Sequence, residues 1–212
     1  MIQLTDIFKR WEIDIIGPLP ITRKRNRYIV VAIDYFIRWP EARAIKVANA
    51  EMVVIFIYKE IICRFGSPRV LQSDREMHFI NKIIQKLIKR FKVRHSLSSP
   101  YHLQSNGLVE RFNKMLCEEI VKVVEEIEFW DKYIQLVLFA YWTKELRISK
   151  QSSYKLVYGK EPTLVIDNGP YRRIIIERLL EIMDKVSQLR EMARRTIRKA
   201  QVELDRKFEG KL

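Results

Sequence analysis

The chain has 212 residues, 48% of them apolar, so it can bury the core of one ordinary domain with an appendage or of two small domains. Its 40 Lys and Arg outnumber 26 Asp and Glu, and the formal net charge of +14 predicts a polyanionic partner, most often nucleic acid. No run approaches the roughly 20 apolar residues of a membrane span, and the first ten residues lack the apolar centre of a signal peptide, so we expect an intracellular protein.

The cysteine content excludes two kinds of stabilising cross-link. Cys63 and Cys117 are the only cysteines, and neither has another Cys or a His at ligand spacing. The sequence therefore predicts neither a disulfide framework nor a zinc site in this chain.

Three short, β-branched runs open the chain, each bounded by Gly, Pro or charged residues. They predict three strands of an antiparallel meander, at Trp11–Gly17, Tyr28–Phe36 and Glu41–Val47. A helix is expected next, over NAEMVVIFIYKEIICRFG, with Asn49 as its N-cap and Gly66 just past its end.

Alternating strands and helices follow the meander. RVLQSD predicts a strand that stops at Asp74, INKIIQKLIKRF a basic amphipathic helix, and KVRHSL a short strand. Apolar residues then recur at helical spacing from Ser105 to about Ile127, and an aromatic-rich helix is expected over Phe129–Leu146. The apolar stripe of the first of these helices comprises Leu108, Phe112, Met115, Leu116, Ile120, Val123, Val124 and Ile127. This order predicts an α/β domain, a mixed sheet with helices on its faces.

The last part of the chain has a different composition. Residues 171–208 are charged and helix-favouring, with apolar positions spaced alternately by four and three. These positions are Ile175, Leu179, Ile182, Val186, Leu189 and Ala193. They predict a long C-terminal helix, which either forms a coiled-coil or dimer contact or packs along its own core domain.

Three acids stand where a sheet could bring them together: Asp14 in the first strand, Asp74 at the end of a later one, and Glu110 early in the helix after the polar segment YHLQSNG. An acid within an apolar strand costs free energy unless it is paired or binds a cation. Carboxylate oxygens suit Mg²⁺, which usually takes one or two carboxylates together with substrate phosphates. The sequence therefore favours metal-assisted phosphoryl chemistry on nucleic acid.

Each acid also has a structural interpretation. Asp34 lies in an apolar strand as Asp14 does, and the pattern alone does not separate the two. Asp74 could cap a turn with a salt bridge to its neighbour, and Glu110 could pair with Lys114 at i,i+4.

Four blocks in order carry a family resemblance. They are WEIDIIGPLP, YIVVAIDYFIRWPEA, FGSPRVLQSDREMHFIN and YHLQSNGLVERFNKML, and thirty-five residues separate Asp74 from Glu110 within them. From about Thr5 to Pro162 the chain resembles the catalytic core of retroviral and gypsy-type retrotransposon integrases, with SSYKLVYGKEP similar to the segment that closes that core. The corresponding domain limits are 5–162 for the core and 171–208 for a helical C-terminal extension.

The resemblance implies a ribonuclease H-like fold with a mixed five-stranded sheet and a catalytic, metal-binding triad of Asp14, Asp74 and Glu110. It favours Asp14 over Asp34, because WEIDIIGPLP matches the block that supplies the family's first acid. It further implies two Mg²⁺ or Mn²⁺ ions, cutting of DNA ends and their joining to target DNA, a homodimer or higher oligomer, and a nuclear location.

The resemblance also implies roles for residues beyond the triad. Asn106, Asn113 and Lys114 are expected DNA contacts, with an ordinary solvated helix face as the alternative. His102, Gln104 and Gly107 are expected in a loop that covers the metal site, although His102 could instead be structural. Arg23–Arg27, expected at a hairpin tip, is either a phosphate contact or nuclear import signal, or a solvated turn.

Two positions depart from the family pattern, since Glu76 replaces a usual Gly and Leu103 a usual Pro. The chain resembles the core and its extension, without the family's N-terminal His/His/Cys/Cys zinc domain. Two alternatives to an integrase therefore stay open. One is a catalytically silent module that binds DNA, and the other is a nuclease that cuts without joining.

Overall fold

A computed structural model describes residues 6–98 and 107–163, together with Gln188, Glu191, Met192, Arg195 and Thr196. These residues fall into two compact units, which divide between Phe139 and Ala140. The predicted domain limits of 5–162 and 171–208 stay predictions, and the heptad positions of the C-terminal helix all lie outside the described residues.

The first unit is built on a five-stranded mixed sheet in the order β3-β2-β1-β4-β5. Its strands are β1 (Arg10–Ile16), β2 (Tyr28–Asp34), β3 (Pro40–Ile45), β4 (Val70–Ser73) and β5 (Arg94–Leu97). The first three pair antiparallel, whereas β4 and β5 run parallel to β1. The predicted meander and mixed sheet are confirmed.

The central strand β1 presents different chemistry on its two faces, because successive side chains point to opposite sides of a strand. Trp11 and Ile13 are fully buried on one face, where the ring centroids of Trp11 and Phe65 are 5.5 Å apart. Glu12 and Asp14 occupy the other face. That second face is the one that carries the candidate site.

A broken helical segment follows β3. It consists of α1 (Ala50–Phe56), a π-helical turn over Ile57–Ile62, and α2 (Cys63–Phe65). Asn49 caps it as predicted, since its side chain accepts a hydrogen bond from the Met52 N–H at 3.0 Å, and Gly66 ends it with a φ of 86°. After β4, α3 (Lys82–Arg90) begins at the N-cap Asn81 and buries Ile84 and Ile88.

The helix that carries Glu110 is shorter than its apolar pattern predicted. It is α4 (Gly107–Val123), which packs against β1 and β2 and buries Val109, Phe112, Leu116 and Ile120. The prediction was wrong at both ends of the stripe, because Val109 takes the core position assigned to Leu108, and Val123 and Ile127 are exposed. A 3-10 turn (Ile127–Phe129) and α5 (Trp130–Thr143) follow.

The second unit contains the end of α5 and a short helix, α6 (Ser153–Tyr158). Ser152 caps α6 by accepting from the Lys155 N–H at 3.0 Å, and Gly159 ends it in the left-handed conformation. This element falls in the segment expected to close the core. Among the described residues, no helix is long and apolar enough to cross a bilayer.

Candidate active site

Two of the predicted acids lie at the C-terminal ends of neighbouring parallel strands. Asp14 lies near the end of β1, and Asp74 follows the last residue of the neighbouring parallel strand β4. Because the C-terminal ends of parallel strands lie at the same end of a sheet, this topology places both carboxylates there. The strand prediction for RVLQSD located Asp74 correctly.

The third acid, Glu110, is an exposed residue in the first turn of α4. One turn later, the Asn113 side chain donates from Nδ2 to Asp14 Oδ2 at 2.7 Å. The structure therefore joins α4 directly to the acid on β1. Among the described residues, Glu110 and Lys114 do not form an ion pair, so the i,i+4 pairing is not observed.

The electrostatics of Asp14 show which charges surround it. Burial, together with repulsion from the carboxylates of Asp74, Glu76 and Glu110, raises the pKa of this carboxyl to about 6. A hydrogen bond from the Ile15 N–H acts in the opposite direction. Asp14 is therefore close enough to both Asp74 and Glu110 to interact with them electrostatically.

Asp74 also caps a turn, as part of its structural interpretation predicted, whereas no salt bridge between Asp74 and Arg75 is observed in the described part of the chain. Its Oδ1 accepts from the Glu76 N–H at 3.0 Å, and burial raises the pKa of Asp74 above its usual value. The Glu76 carboxylate raises this pKa as well, whereas His78, which is hydrogen-bonded to Glu76, lowers it. A turn cap and a catalytic acid can thus be the same side chain.

The end of β4 is held by a small polar network. The buried Ser73 hydroxyl donates to the Asp74 carbonyl at 2.8 Å and lies 2.9 Å from Nε2 of His95 on β5. Ser98 closes the network through its N–H and hydroxyl, which donate to the Ser73 carbonyl at 2.9 and 3.1 Å. These contacts fix the backbone that carries Asp74.

A fourth acid on this face was missed by sequence reasoning. Glu12 is only 1% exposed, and its Oε2 accepts from the backbone N–H of Val109 at 3.3 Å. Burial raises the pKa of Glu12 to about 7, although the Val109 hydrogen bond and the charges of Arg10, Arg38 and Arg111 act in the opposite direction. The available signal was the two-residue spacing to Asp14, which places both acids on the same face of a strand.

Asp34, the rival of Asp14, serves the fold. Its Oδ1 accepts from the N–H groups of Phe36 and Ile37 at 3.1 and 2.8 Å, and its Oδ2 from that of Phe8 at 2.9 Å. A fully buried carboxylate with three backbone donors organises the turn after β2. The choice of Asp14 agrees with this arrangement.

The other predicted site residues divide into two groups. His102, Gln104 and Asn106 lie outside the described residues. Gly107 is the first residue of α4, and Lys114 is exposed on the same helix. Arg23–Arg27 does form the exposed connection between β1 and β2, where Arg23 pairs with Glu128 at 3.0 Å.

The donor set suits a hard divalent cation in its chemistry. Carboxylate and amide oxygens are ligands that Mg²⁺ accepts, and the buried Oδ1 of Asn113 has no hydrogen-bond partner in the described part of the chain. In that same part, no group of three or more His, Cys, Asp and Glu side chains is arranged to hold a metal ion. The residues fit the ion by type, and their shared coordination of it stays a prediction.

Comparisons with known proteins agree with this geometry. Residues 7–102 match the integrase core domain family. The chain is 32% identical over 155 residues to the Gag-Pol polyprotein of walleye dermal sarcoma virus, covering 69% of this chain and 9% of that protein. It is 30% identical over 195 residues to the Gag-Pol polyprotein of avian reticuloendotheliosis virus, covering 90% and 17%. The retrovirus-related Pol polyprotein from transposon 412 of Drosophila melanogaster is 28% identical over 158 residues, covering 74% and 13%.

Solved structures give the same result for the fold. One chain of the simian T-cell lymphotropic virus intasome aligns with a TM-score of 0.62 at 19% identity, covering 80% of this chain and 59% of that one. The catalytic core domain of BIV integrase aligns with a TM-score of 0.57 at 24% identity, covering 70% and 92%. The chain spans less than a fifth of the polyproteins it matches. It belongs to the integrase core domain family of retroviruses and related retrotransposons, and it has the ribonuclease H-like fold of their catalytic cores.

Proposed function

We propose that this chain is a metal-dependent polynucleotidyl transferase that cuts DNA ends and joins them to target DNA. The observation that carries the proposal is the setting of Asp14. This half-buried acid lies beside Asp74 at the C-terminal ends of β1 and β4, under repulsion from three other carboxylates, in the sequence blocks that mark the integrase core. Mutually repelling carboxylates lower their free energy by sharing cations, which makes this end of the sheet suited to bind metal.

In this proposal Asp14, Asp74 and Glu110 hold two Mg²⁺ or Mn²⁺ ions. When bound, such ions activate the attacking oxygen and stabilise the leaving oxygen of a phosphodiester. The protein's own contribution is positional. Asn113 orients Asp14 through its 2.7 Å hydrogen bond, and the Glu76 N–H orients Asp74. Because Asn113 already contacts Asp14, we assign it to carboxylate positioning as well as to the predicted DNA contact.

DNA is the proposed partner because of the net charge of +14 and the basic residues beside the site. Lys114 is exposed on α4, the helix that bears Glu110, and we retain it with Asn106 as a contact to element DNA. The aligned simian virus chain belongs to an intasome, and by analogy we propose a homodimer or higher oligomer. Since the target is DNA, the proposal locates the protein in the nucleus.

The decisive experiment compares Asp74→Asn and Glu110→Gln with wild type in Mg²⁺-dependent nicking and strand transfer on labelled DNA. Both variants should lose activity to background and keep the wild-type circular dichroism spectrum. The matched control is Glu118→Gln, which removes an exposed acid from the same helix α4 and should retain full activity. Activity in either triad variant would refute the assignment.

A catalytically silent DNA-binding module is the second candidate. It is favoured by Glu76, a carboxylate located where the family usually has glycine and acting on both Asp14 and Asp74. This candidate predicts salt-sensitive DNA binding by wild type, without Mg²⁺-dependent cleavage. Pre-cut DNA ends separate the remaining alternative, since a nuclease that cannot join would leave them unchanged.

A further inference from the structure

We propose that Glu12 is a positioning residue, which holds the helix bearing Glu110 at a fixed place along the strand bearing Asp14. The inference deepens the proposed function and rests on it, because it concerns the separation of two carboxylates of that site. Glu12 itself stays outside the metal-binding set. Its role is exerted through the backbone of α4.

Burial shows that Glu12 is kept at a cost. It lies in the middle of the sheet, between Ile33 of β2 and Gln72 of β4, and is 1% exposed. Removing a carboxylate from water is unfavourable unless protein groups replace the lost hydration. Arg10, Arg38 and Arg111 supply part of this compensation as neighbouring charges.

The contact made by Glu12 is specific to the start of α4. Its Oε2 accepts from the N–H of Val109, the third residue of the helix. A carboxylate near the N-terminal end of a helix is favoured by the helix dipole. Glu12 therefore holds the first described turn of α4 from a strand residue that precedes Val109 by 97 positions.

A second hydrogen bond joins the same strand and helix. Asp14, two residues further along β1, accepts from Asn113, four residues further along α4. Two strand residues span about 6.7 Å and four helix residues about 6 Å, so both contacts form together when helix and strand run side by side. Glu110 directly follows Val109 and lies between the two ties. Loss of the Glu12 contact would leave Glu110 with a side-chain hydrogen bond to β1 on one side only, from Asn113, in addition to the apolar packing of α4.

The test uses the full chain with Glu12→Met and Glu12→Gln. Methionine fills the same space without a carboxylate, so it removes the burial cost and also the acceptor for Val109. We expect Glu12→Met to fold, with roughly tenfold faster hydrogen exchange at the Val109 amide, because the substitution leaves this N–H without its acceptor. Titration with Mn²⁺ alone should show weaker binding, and strand transfer should fall with it. Glu12→Gln keeps an acceptor oxygen and should restore exchange, Mn²⁺ affinity and activity towards wild type.

The control is Glu41→Gln, a buried acid of β3 that contacts Trp39 and Arg64. It should lower thermal stability and leave exchange at Val109 and Mn²⁺ affinity unchanged. A purely structural role for Glu12 predicts that Glu12→Met loses stability with an unchanged Mn²⁺ affinity, so the Mn²⁺ affinity separates the two roles.

Three results would overturn the proposal: unchanged Val109 exchange in Glu12→Met, faster exchange without loss of Mn²⁺ affinity, or a wild-type Val109 amide with no protection at all. The last result decides the matter even if Glu12→Met fails to fold. Failure of wild type to bind Mn²⁺ would instead count against the proposed function, while exchange at Val109 would still confirm or refute the Glu12 contact.

Discussion

Two groups of acids lie in one sheet and are held in opposite ways. Asp34 and Glu41 lie beside the turn that connects the end of β2 to the start of β3. Asp14 and Asp74 lie at the C-terminal ends of the parallel strands β1 and β4. Burial raises the pKa of Asp34 and Glu41 to about 7 and that of Asp14 to about 6. A raised pKa alone therefore does not distinguish the two groups.

The distinction lies in what surrounds each buried carboxylate. Both oxygens of Asp34 receive backbone N–H groups, and Glu41 accepts from Trp39 Nε1 at 2.7 Å and from Arg64 at 2.6 Å. Asp14 accepts from Asn113 and faces the negative charges of Asp74, Glu76 and Glu110. Donors around an acid indicate a structural role, and acids around an acid indicate a site that needs a cation.

The largest expected effect is in the structural group. Asp34→Ala leaves three N–H groups without an acceptor, two of them buried, and should lower the free energy of unfolding by about 3–5 kcal/mol. Urea denaturation at pH 7.5 measures the loss. Asp34→Asn, which retains one acceptor oxygen, should be less damaging, and a loss below about 1 kcal/mol in Asp34→Ala would undo the contrast.

At the candidate site, replacing an acid by its amide should raise the free energy of unfolding rather than lower it. Asp14→Asn is expected to stabilise the metal-free protein at pH 7.5 by about 1–3 kcal/mol, because it removes a half-buried charge that neighbouring carboxylates repel. The folded-state pKa of Asp14 lies above the usual value of 3.8, so the cost is absent below about pH 4, grows through pH 6 and is complete above it.

The gain should therefore vanish at pH 4, where urea denaturation of both proteins can be compared. Asp34→Asn, measured in the same series, should be destabilised at pH 7.5. If Asp14→Asn were also less stable than wild type there, the two groups of acids would be alike.

Adding Mg²⁺ should stabilise the folded wild-type protein, because a bound cation offsets the repulsion between Asp14 and its neighbouring carboxylates. At a Mg²⁺ concentration ten times its dissociation constant, binding stabilises the folded state by about 1.4 kcal/mol. We expect Mg²⁺ to raise the thermal midpoint of wild type and to leave that of Asp14→Asn unchanged, with NaCl of matched ionic strength as the control. An equal rise in both proteins would show that Mg²⁺ acts elsewhere.

Local sequence patterns were sufficient for most of the sheet. Alternation and turn residues predicted all five strands, and the cap at Asn49 and the end of β4 at Asp74 followed from residue chemistry. The phase and length of α4 were not predictable in the same way. Leu108 and Val109 both fit a helical period, and only packing against β1 and β2 decides which is buried.

The candidate site was predictable in its acids and not in its contacts. Family blocks predict Asp14, Asp74 and Glu110, whose role as a triad stays a prediction, but the contact of Glu12 with Val109 depends on how a helix packs 97 residues along the chain. Asp34 could not be separated from Asp14 by pattern, since its backbone donors become available only once the turn after β2 has formed. Local rules fail at those positions where tertiary contacts decide the chemistry.

The smallest expected effect concerns Glu76, the acid that this chain carries in place of the family's usual glycine. Its side chain is about half exposed, at 52%, so solvent screens much of its repulsion. Glu76→Gln should lower the pKa of both Asp14 and Asp74, visible in a carboxyl ¹³C NMR titration, and change stability by only a few tenths of a kcal/mol. Glu118→Gln on α4 provides the control, and 1 M NaCl should remove most of the difference. If Asp14 titrated identically in Glu76→Gln and wild type, Glu76 would not belong to the repelling group, and the contrast with Asp34 and Glu41 would rest on the triad alone.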